Sequence, residues 1–178
     1  MPRKLLNAEL QRLSPQAFKA APKLPIVLVL DNVRSQHNIG AAFRTADAFG
    51  IAQIYLCGIC AVPPSAEIHK SALGAEDTVA WRYFSDTMEA VQALREEGYT
   101  LLGIEQVEGA HPLPQFVPQK DIKYAVVFGN EVRGVQQEVV DQCDGCIEIP
   151  QWGTKHSLNV SVSIGVVLWD FLGKLNRW

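Results

Sequence analysis

Apolar residues fall into two kinds of run along this chain, and their alternation predicts a fold class before any single residue is considered. Leu24 to Asp31 (LPIVLVLD), Ile51 to Cys57, Thr78 to Phe84, Tyr99 to Glu105, Tyr124 to Phe128 and Cys146 to Ile149 have strand length and strand composition. Between them lie segments with helical punctuation. These are about Asn38 to Phe49, closed by Gly50; Ser65 to Leu73, opened by Ser-x-Glu; Asp86 to Glu97, closed by Gly98; and a short one over Val135 to Asp141. A long apolar helix is expected over Ser157 to Leu175, while the Pro-rich connection through His111, Pro112, Pro114 and Pro118 has no internal pattern. Strands alternating with helices, several apolar on both faces, imply an α/β protein: a mostly parallel sheet with helices on both faces. In such sheets ligands collect at the carboxyl ends of strands, so the polar residues just beyond each strand become the candidates.

Composition narrows this picture. With 178 residues and 48% hydrophobic content, the chain has enough apolar material for one globular domain with a continuous core. The net charge of -3 is unevenly spread: Arg3, Lys4, Arg12, Lys19 and Lys23 stand against Glu9 alone in residues 1–23, a local +4. The expected division is therefore a basic arm over 1–23, either a solvated lead-in or a contact for phosphates, and an acidic domain over 24–178. No apolar run approaches the ~18–20 residues of a membrane span and no signal-peptide core is visible, so a cytoplasmic protein without a membrane partner is expected. The four cysteines form two Cys-x-x-Cys pairs, Cys57 with Cys60 and Cys143 with Cys146. They lie far more than the ~15–20 residues of a zinc ribbon apart, so free, largely buried thiols and no metal are expected.

Three polar clusters follow strands. In the first, Asn32 to Arg44, Asn38 suits a helix N-cap and Gly40 permits close backbone approach. Arg44 stands among alanines, where a buried guanidinium would need an answering anion. The second is the glycine-bracketed turn Gly129-Asn130-Glu131-Val132-Arg133-Gly134, and the third threads Ser157, Asn159, Ser161 and Ser163 through an apolar run. By itself the third reads as capping by Ser157 with hydroxyls bonded back to the helix, and Glu131 by itself as a surface carboxylate. Gly-x-Gly-x-x-Gly after the first strand, the Gly-x-x-x-x-Gly-Lys-Ser/Thr loop and the Gly-x-Ser-x-Gly elbow are all absent. His37, His69 and His111 lack metal-ligand spacing.

Together the clusters are more specific. Asn38-x-Gly40-x-x-x-Arg44-Thr45-Ala46, then Gly129-x-Glu131-x-x-Gly134, then Ile149-Pro150 with Ser157-Leu158-Asn159-Val160-Ser161-Val162 follow the order and spacing of three motifs. In them the chain resembles the SpoU, or TrmH, branch of the SPOUT RNA methyltransferases, from about residue 25 to 172. The resemblance implies S-adenosylmethionine-dependent methylation of a ribose 2′-hydroxyl in structured RNA, tRNA or rRNA. It also implies a C-terminal deep trefoil knot that holds the cofactor, and a homodimer that completes the catalytic region. Carried over by position, it makes Arg44 the catalytic arginine, joined by Asn38, Glu131, Ser157 and Asn159. Gly129, Ile149 and Leu158 would meet the cofactor, as would Glu105 in the loop after the fourth strand.

Arginine has a chemical rationale there, since it can stabilise charge developing on a ribose oxygen and grip the adjacent phosphate. The chain departs from the family at Gln151-Trp152, where many relatives have Met and a small residue, at Asp170, often glutamate, and at Val132 and Arg133, often a smaller or more neutral turn. The absence of a separate N-terminal RNA-binding domain favours tRNA as substrate, with the arm as a supplementary grip. The alternatives are a catalytically silent RNA-binding paralogue and a nicotinamide-dependent oxidoreductase, the latter lacking its glycine fingerprint.

Overall fold

The first strand determines how the rest is arranged. In the computed structural model, which describes residues 1–176, β1 (Leu24–Asp31) lies inside a seven-stranded sheet. The other strands are β2 (Ile51–Cys57), β3 (Ala80–Phe84), β4 (Thr100–Ile104), β5 (His111–Pro112), β6 (Tyr124–Phe128) and β7 (Gly145–Glu148). Their order is β3-β2-β1-β6-β4-β7-β5, and every pairing between them is parallel. Parallel neighbours require crossovers, which the helices supply: α2 (Gln36–Phe49), α3 (Ala66–Ala72), α4 (Thr87–Glu96), α5 (Gln137–Val140) and α6 (Val160–Lys174). A six-residue α1 (Pro15–Ala20) precedes the sheet.

Strand alternation divides the core into two layers. Ile26, Leu28 and Leu30 of β1 pack with Phe43 of α2, Ile68 of α3 and Val167, Leu168 and Phe171 of α6. Val27 and Val29 point the other way, toward Val91 and Leu94 of α4 and Val139 of α5. Successive strand residues face opposite sides, so a run apolar throughout must be covered on both. Each fully buried Phe or Ile contributes roughly 1.5–3 kcal/mol. The expected sheet with helices on both faces is what the chain forms.

Several boundaries move, for local reasons. α2 begins at Gln36, not near Asn38, because Ser35 is its N-cap and accepts from Asn38 N at 3.3 Å. α6 begins at Val160 rather than Ser157, because Asn159 is the cap: its Oδ1 accepts from Ser161 N at 2.9 Å and Ser161 Oγ at 2.6 Å. The Pro-rich connection, expected to be patternless, contains β5 and a 3-10 turn over Leu113–Gln115. In the arm, Leu5, Leu6, Leu10 and Leu13 are exposed, and Arg3 is held by Glu9 at 2.6 Å. All four cysteines are free thiols; Cys57, Cys60 and Cys146 are buried and Cys143 is half-buried. Burial pushes the Cys60 thiol up to about 11 and the Cys143 thiol to about 12. Among the described residues no helix is long and apolar enough to cross a membrane.

Candidate functional site

Register places the carboxyl ends of four adjacent strands in one row. Phe128 of β6 pairs with Leu30 on one side and Ile104 on the other, and Ile104 pairs with Ile147. Chain direction across the sheet reverses at this point, since β1 leads outward to β2 and β3 while β6, β4 and β7 fill the opposite side. Loops leaving a reversal point diverge and leave a crevice. A cavity of about 470 Å³ opens there.

Its walls combine the second and third polar clusters, and the first is joined to them by hydrogen bonds. Glu105, Gly129, Glu131, Ile149, Ser157, Leu158 and Asn159 line it, together with the apolar Ile104, Phe128, Ile147 and Val160. Asn38 reaches the same place through its partners. Glu131 accepts from the Arg34 N–H at 3.0 Å, the Ser35 N–H at 2.9 Å and Asn38 Nδ2 at 3.0 Å. Asn159 Nδ2 in turn donates to Asn38 Oδ1 at 3.2 Å. Burial disfavours the Glu131 charge, but the two backbone donors and Asn38 outweigh it and hold the carboxyl below its ordinary value. A carboxylate held at the N–H groups of Arg34 and Ser35, immediately before the first turn of α2, also complements the helix dipole. Glu131 is therefore an anchor for α2 rather than a free surface carboxylate, and Asn38 is a linker between motifs rather than a helix cap.

The glycines of the clusters have steric reasons. A Cβ on Gly40 would lie 2.1 Å from Ser71 Oγ and 2.3 Å from Ile68 O, so Gly40 lets α3 cross against α2. The close approach expected at that position is between helices. Gly134 has φ +68°, and a Cβ there would meet Glu105 Oε2 at 2.1 Å. The Glu105 carboxylate is itself committed, accepting from Gln106 N at 2.9 Å and Val135 N at 2.8 Å. It braces the cavity wall through those bonds.

Arg44 departs most from expectation. It is exposed rather than buried, does not line the cavity, and has no hydrogen bond or ion pair among the described residues. The helical rise of ~1.5 Å per residue puts its Cα ~9 Å along α2 from that of Asn38. Ser157 is likewise exposed, and its hydroxyl has no partner among the described residues.

One organising residue escaped the sequence reading. Asp31, fully buried, accepts from Asn32 Nδ2 at 2.9 Å, Thr87 Oγ1 at 2.6 Å, Gln136 N at 2.8 Å and Gln136 Nε2 at 2.8 Å. It fastens the end of β1 to the far side of the 129–136 turn, and a charged residue closing an otherwise apolar strand was its signal. Asn130 completes the fastening by donating to Asn32 O at 2.7 Å. No group of three metal-ligating side chains is present among the described residues.

Comparison with known proteins follows this geometry. Residues 25–169 match the SpoU rRNA Methylase family. The chain is 36% identical over 146 residues to the 23S rRNA (guanosine-2′-O-)-methyltransferase RlmB of Vibrio cholerae, covering 82% of this chain and 58% of that one. It is 28% identical to a putative TrmH family tRNA/rRNA methyltransferase of Staphylococcus saprophyticus, covering 89% and 62%. The chain thus spans less than two thirds of the length of these curated relatives. Among solved structures, the A. aeolicus TrmH/SpoU tRNA modifying enzyme superposes with a TM-score of 0.79 at 22% identity, over 92% of this chain and 83% of that one. The AdoMet-bound rRNA methyltransferase of Sinorhizobium meliloti superposes at 0.77 with 25% identity, over 94% and 61%.

Proposed function

The chain belongs to the SpoU rRNA methylase family, and on that premise we propose that it methylates a ribose 2′-hydroxyl of structured RNA using S-adenosylmethionine. The observation that carries the reading is a cavity at the sheet reversal lined by two of the separated motifs, with the third hydrogen-bonded to both through Asn38. Its volume of about 470 Å³ lies within the ~300–1,000 Å³ typical of small-molecule sites. Ile104, Phe128, Ile147, Ile149 and Leu158 supply an apolar lining for a purine. These residues fit the cofactor, which supplies an electrophilic methyl group when bound.

The chain's own residues divide the remaining work. Asn38, Glu131 and Asn159 hydrogen-bond one another, so we assign them to positioning: they fix the starts of α2 and α6 against the 129–134 turn. Arg44, on the helix so fixed, presents a guanidinium with all five donors available to a phosphate and a developing ribose oxyanion. At an effective dielectric near 20, a unit charge ~4 Å from that oxygen is worth roughly 4 kcal/mol. Ser157 offers a hydroxyl to the same substrate.

Ribosomal RNA is the better substrate assignment, reversing the sequence-based preference for tRNA. The RlmB relatives, at up to 36% identity, are named for 23S rRNA. We assign the homodimer to the outer face of α6, where Val162, Val166 and Trp169 are exposed beside Trp152, which is 93% exposed. We also propose that the segment after β7 threads the 105–123 connection as a trefoil knot. Gln106 Nε2 donates to His156 O at 2.8 Å and Lys174 Nζ to Leu113 O at 2.6 Å, tying that segment to the connection near both ends.

Incubation with labelled S-adenosylmethionine and separately purified unmodified rRNA and tRNA, followed by nucleoside mapping, tests the reading. A single 2′-O-methylated nucleotide in rRNA is expected. Cofactor binding without transfer to any RNA would leave the silent paralogue in its place.

A further inference from the structure

Cations are distributed unevenly over this chain. Those on the body are largely answered: Lys70 by Glu67 at 2.6 Å, Arg82 by Glu97 at 3.2 Å, Arg95 by Asp144 at 3.8 Å and Lys174 by Asp170 at 2.6 Å. Arg133, which lines the cavity, and Arg34, Arg44 and Lys155 on the segments of the three motifs are all exposed, and none of their side chains has a hydrogen-bond or ion-pair partner among the described residues. Glu131 and Glu105 direct their carboxylates to backbone N–H groups and form no ion pair with them among the described residues.

One of these cations sits on a rigid tip. Asn130 and Gly134 exchange backbone bonds at 3.0 and 2.9 Å, and Asn130 Oδ1 accepts from the N–H groups of Val132 at 2.9 Å and Arg133 at 3.2 Å. Asp31 and Glu105 pin the turn's far side through Gln136 and Val135. Hydrogen bonding of this density is spent on holding up a valine that is 87% exposed, with an unpartnered arginine beside it. An apolar side chain so presented at the edge of a cavity meets no apolar surface within the chain.

We infer that the Val132–Arg133 tip is a nucleotide-splaying element: Val132 packs against an unstacked base next to the target ribose, and Arg133 pairs with the adjoining phosphate. This rests on the RNA reading above and names which residues determine how the RNA enters. RNA readers act on single-stranded or splayed nucleotides because paired bases conceal their faces, and a pre-ordered wedge avoids ordering cost on binding. Chemistry at a ribose hydroxyl has the same requirement for access.

The test measures affinity for in-vitro-transcribed 23S rRNA and for heparin, a polyanion without bases, across a salt series. Val132→Ser keeps its backbone N–H for Asn130 and should weaken rRNA binding about tenfold, the scale of losing a buried valine contact, with heparin binding unchanged. Arg133→Ala should weaken both and flatten the slope of log K against log salt by about 0.7–0.9, one phosphate contact. Wild-type affinity for rRNA in both variants overturns the inference. So does a Val132→Ser protein with normal rRNA affinity but an altered sedimentation coefficient, which would give the tip to a second copy of the chain. If the wild-type protein binds rRNA with this contrast and transfers no methyl group, the functional reading fails while the tip stands.

Discussion

Replacing Gly40 by alanine sets two effects of opposite sign against each other. In a helix interior Gly→Ala normally stabilises by about 1 kcal/mol, because alanine leaves the backbone less freedom to lose. At this position the new Cβ would lie 2.1 Å from Ser71 Oγ and 2.3 Å from the Ile68 carbonyl oxygen of α3. The serine oxygen can rotate away, but the carbonyl belongs to a helix and requires α2 and α3 to separate. Overpacking of this kind costs typically ~1–3 kcal/mol and more when backbone must move, so the upper part of the range applies and the net loss is about 2 kcal/mol. For a domain of this size that lowers Tm by about 4–8 °C. Methyl transfer should fall with it, since α2 carries both Asn38 and Arg44. Ser71→Ala in the Gly40→Ala background should recover only part of the loss, because Ile68 O remains. Thermal unfolding of the single and double variants decides the matter. A Gly40→Ala protein as stable as wild type, or a full recovery by Ser71→Ala, would refute the assignment of this glycine to a backbone contact between helices.

Further outcomes are expected elsewhere. Arg44→Ala should abolish methyl transfer while leaving Tm and cofactor affinity near wild type, because the side chain is exposed and unpartnered; turnover assays with calorimetric cofactor titration check it. Glu131→Gln should destabilise the chain by about 1–3 kcal/mol at neutral pH through lost charge-assisted bonds to the start of α2, as read from urea denaturation. The folded carboxyl sits below its ordinary value, so its contribution is present above the unfolded pKa and is lost as pH falls through the folded one. The wild-type advantage should accordingly shrink below about pH 4 in parallel titrations with Glu138→Gln as control. The cysteines should resist alkylation in the folded protein at pH 7.5, since burial keeps Cys60 and Cys143 protonated at that pH, and rapid modification would contradict their placement.

The strand pattern was legible because burial on both faces forces continuous apolar runs, and β1, β2 and β6 begin and end where the sequence places them. Helix starts were less so. Ser35, Asn38, Ser157 and Asn159 are all good capping residues, and which of them caps is decided by partners about 90–120 positions away, chiefly Glu131. The resemblance named Glu105, Gly129, Glu131, Ile149, Ser157, Leu158 and Asn159, all of which line the cavity, but the motif pattern does not tell a free carboxylate from one committed to backbone. Nor could it place Arg44: small neighbours suggested burial, whereas the alanines mark the packed side of α2 and the arginine faces out. Asp31 went unselected because its four partners are contributed by residues scattered from 32 to 136.

The bonds that hold the start of α2 span 93 to 97 residues to Glu131, and Asn38 to Asn159 spans 121. A chain emerging from the ribosome completes β1 and α2 long before any of those partners exists. The hydrogen-bonded site therefore cannot close before residue 159 has been made, and contacts this remote in sequence are slow to form. A nascent or truncated chain lacking the segment beyond residue 145 would carry Arg44 on a helix whose first turn is unanchored.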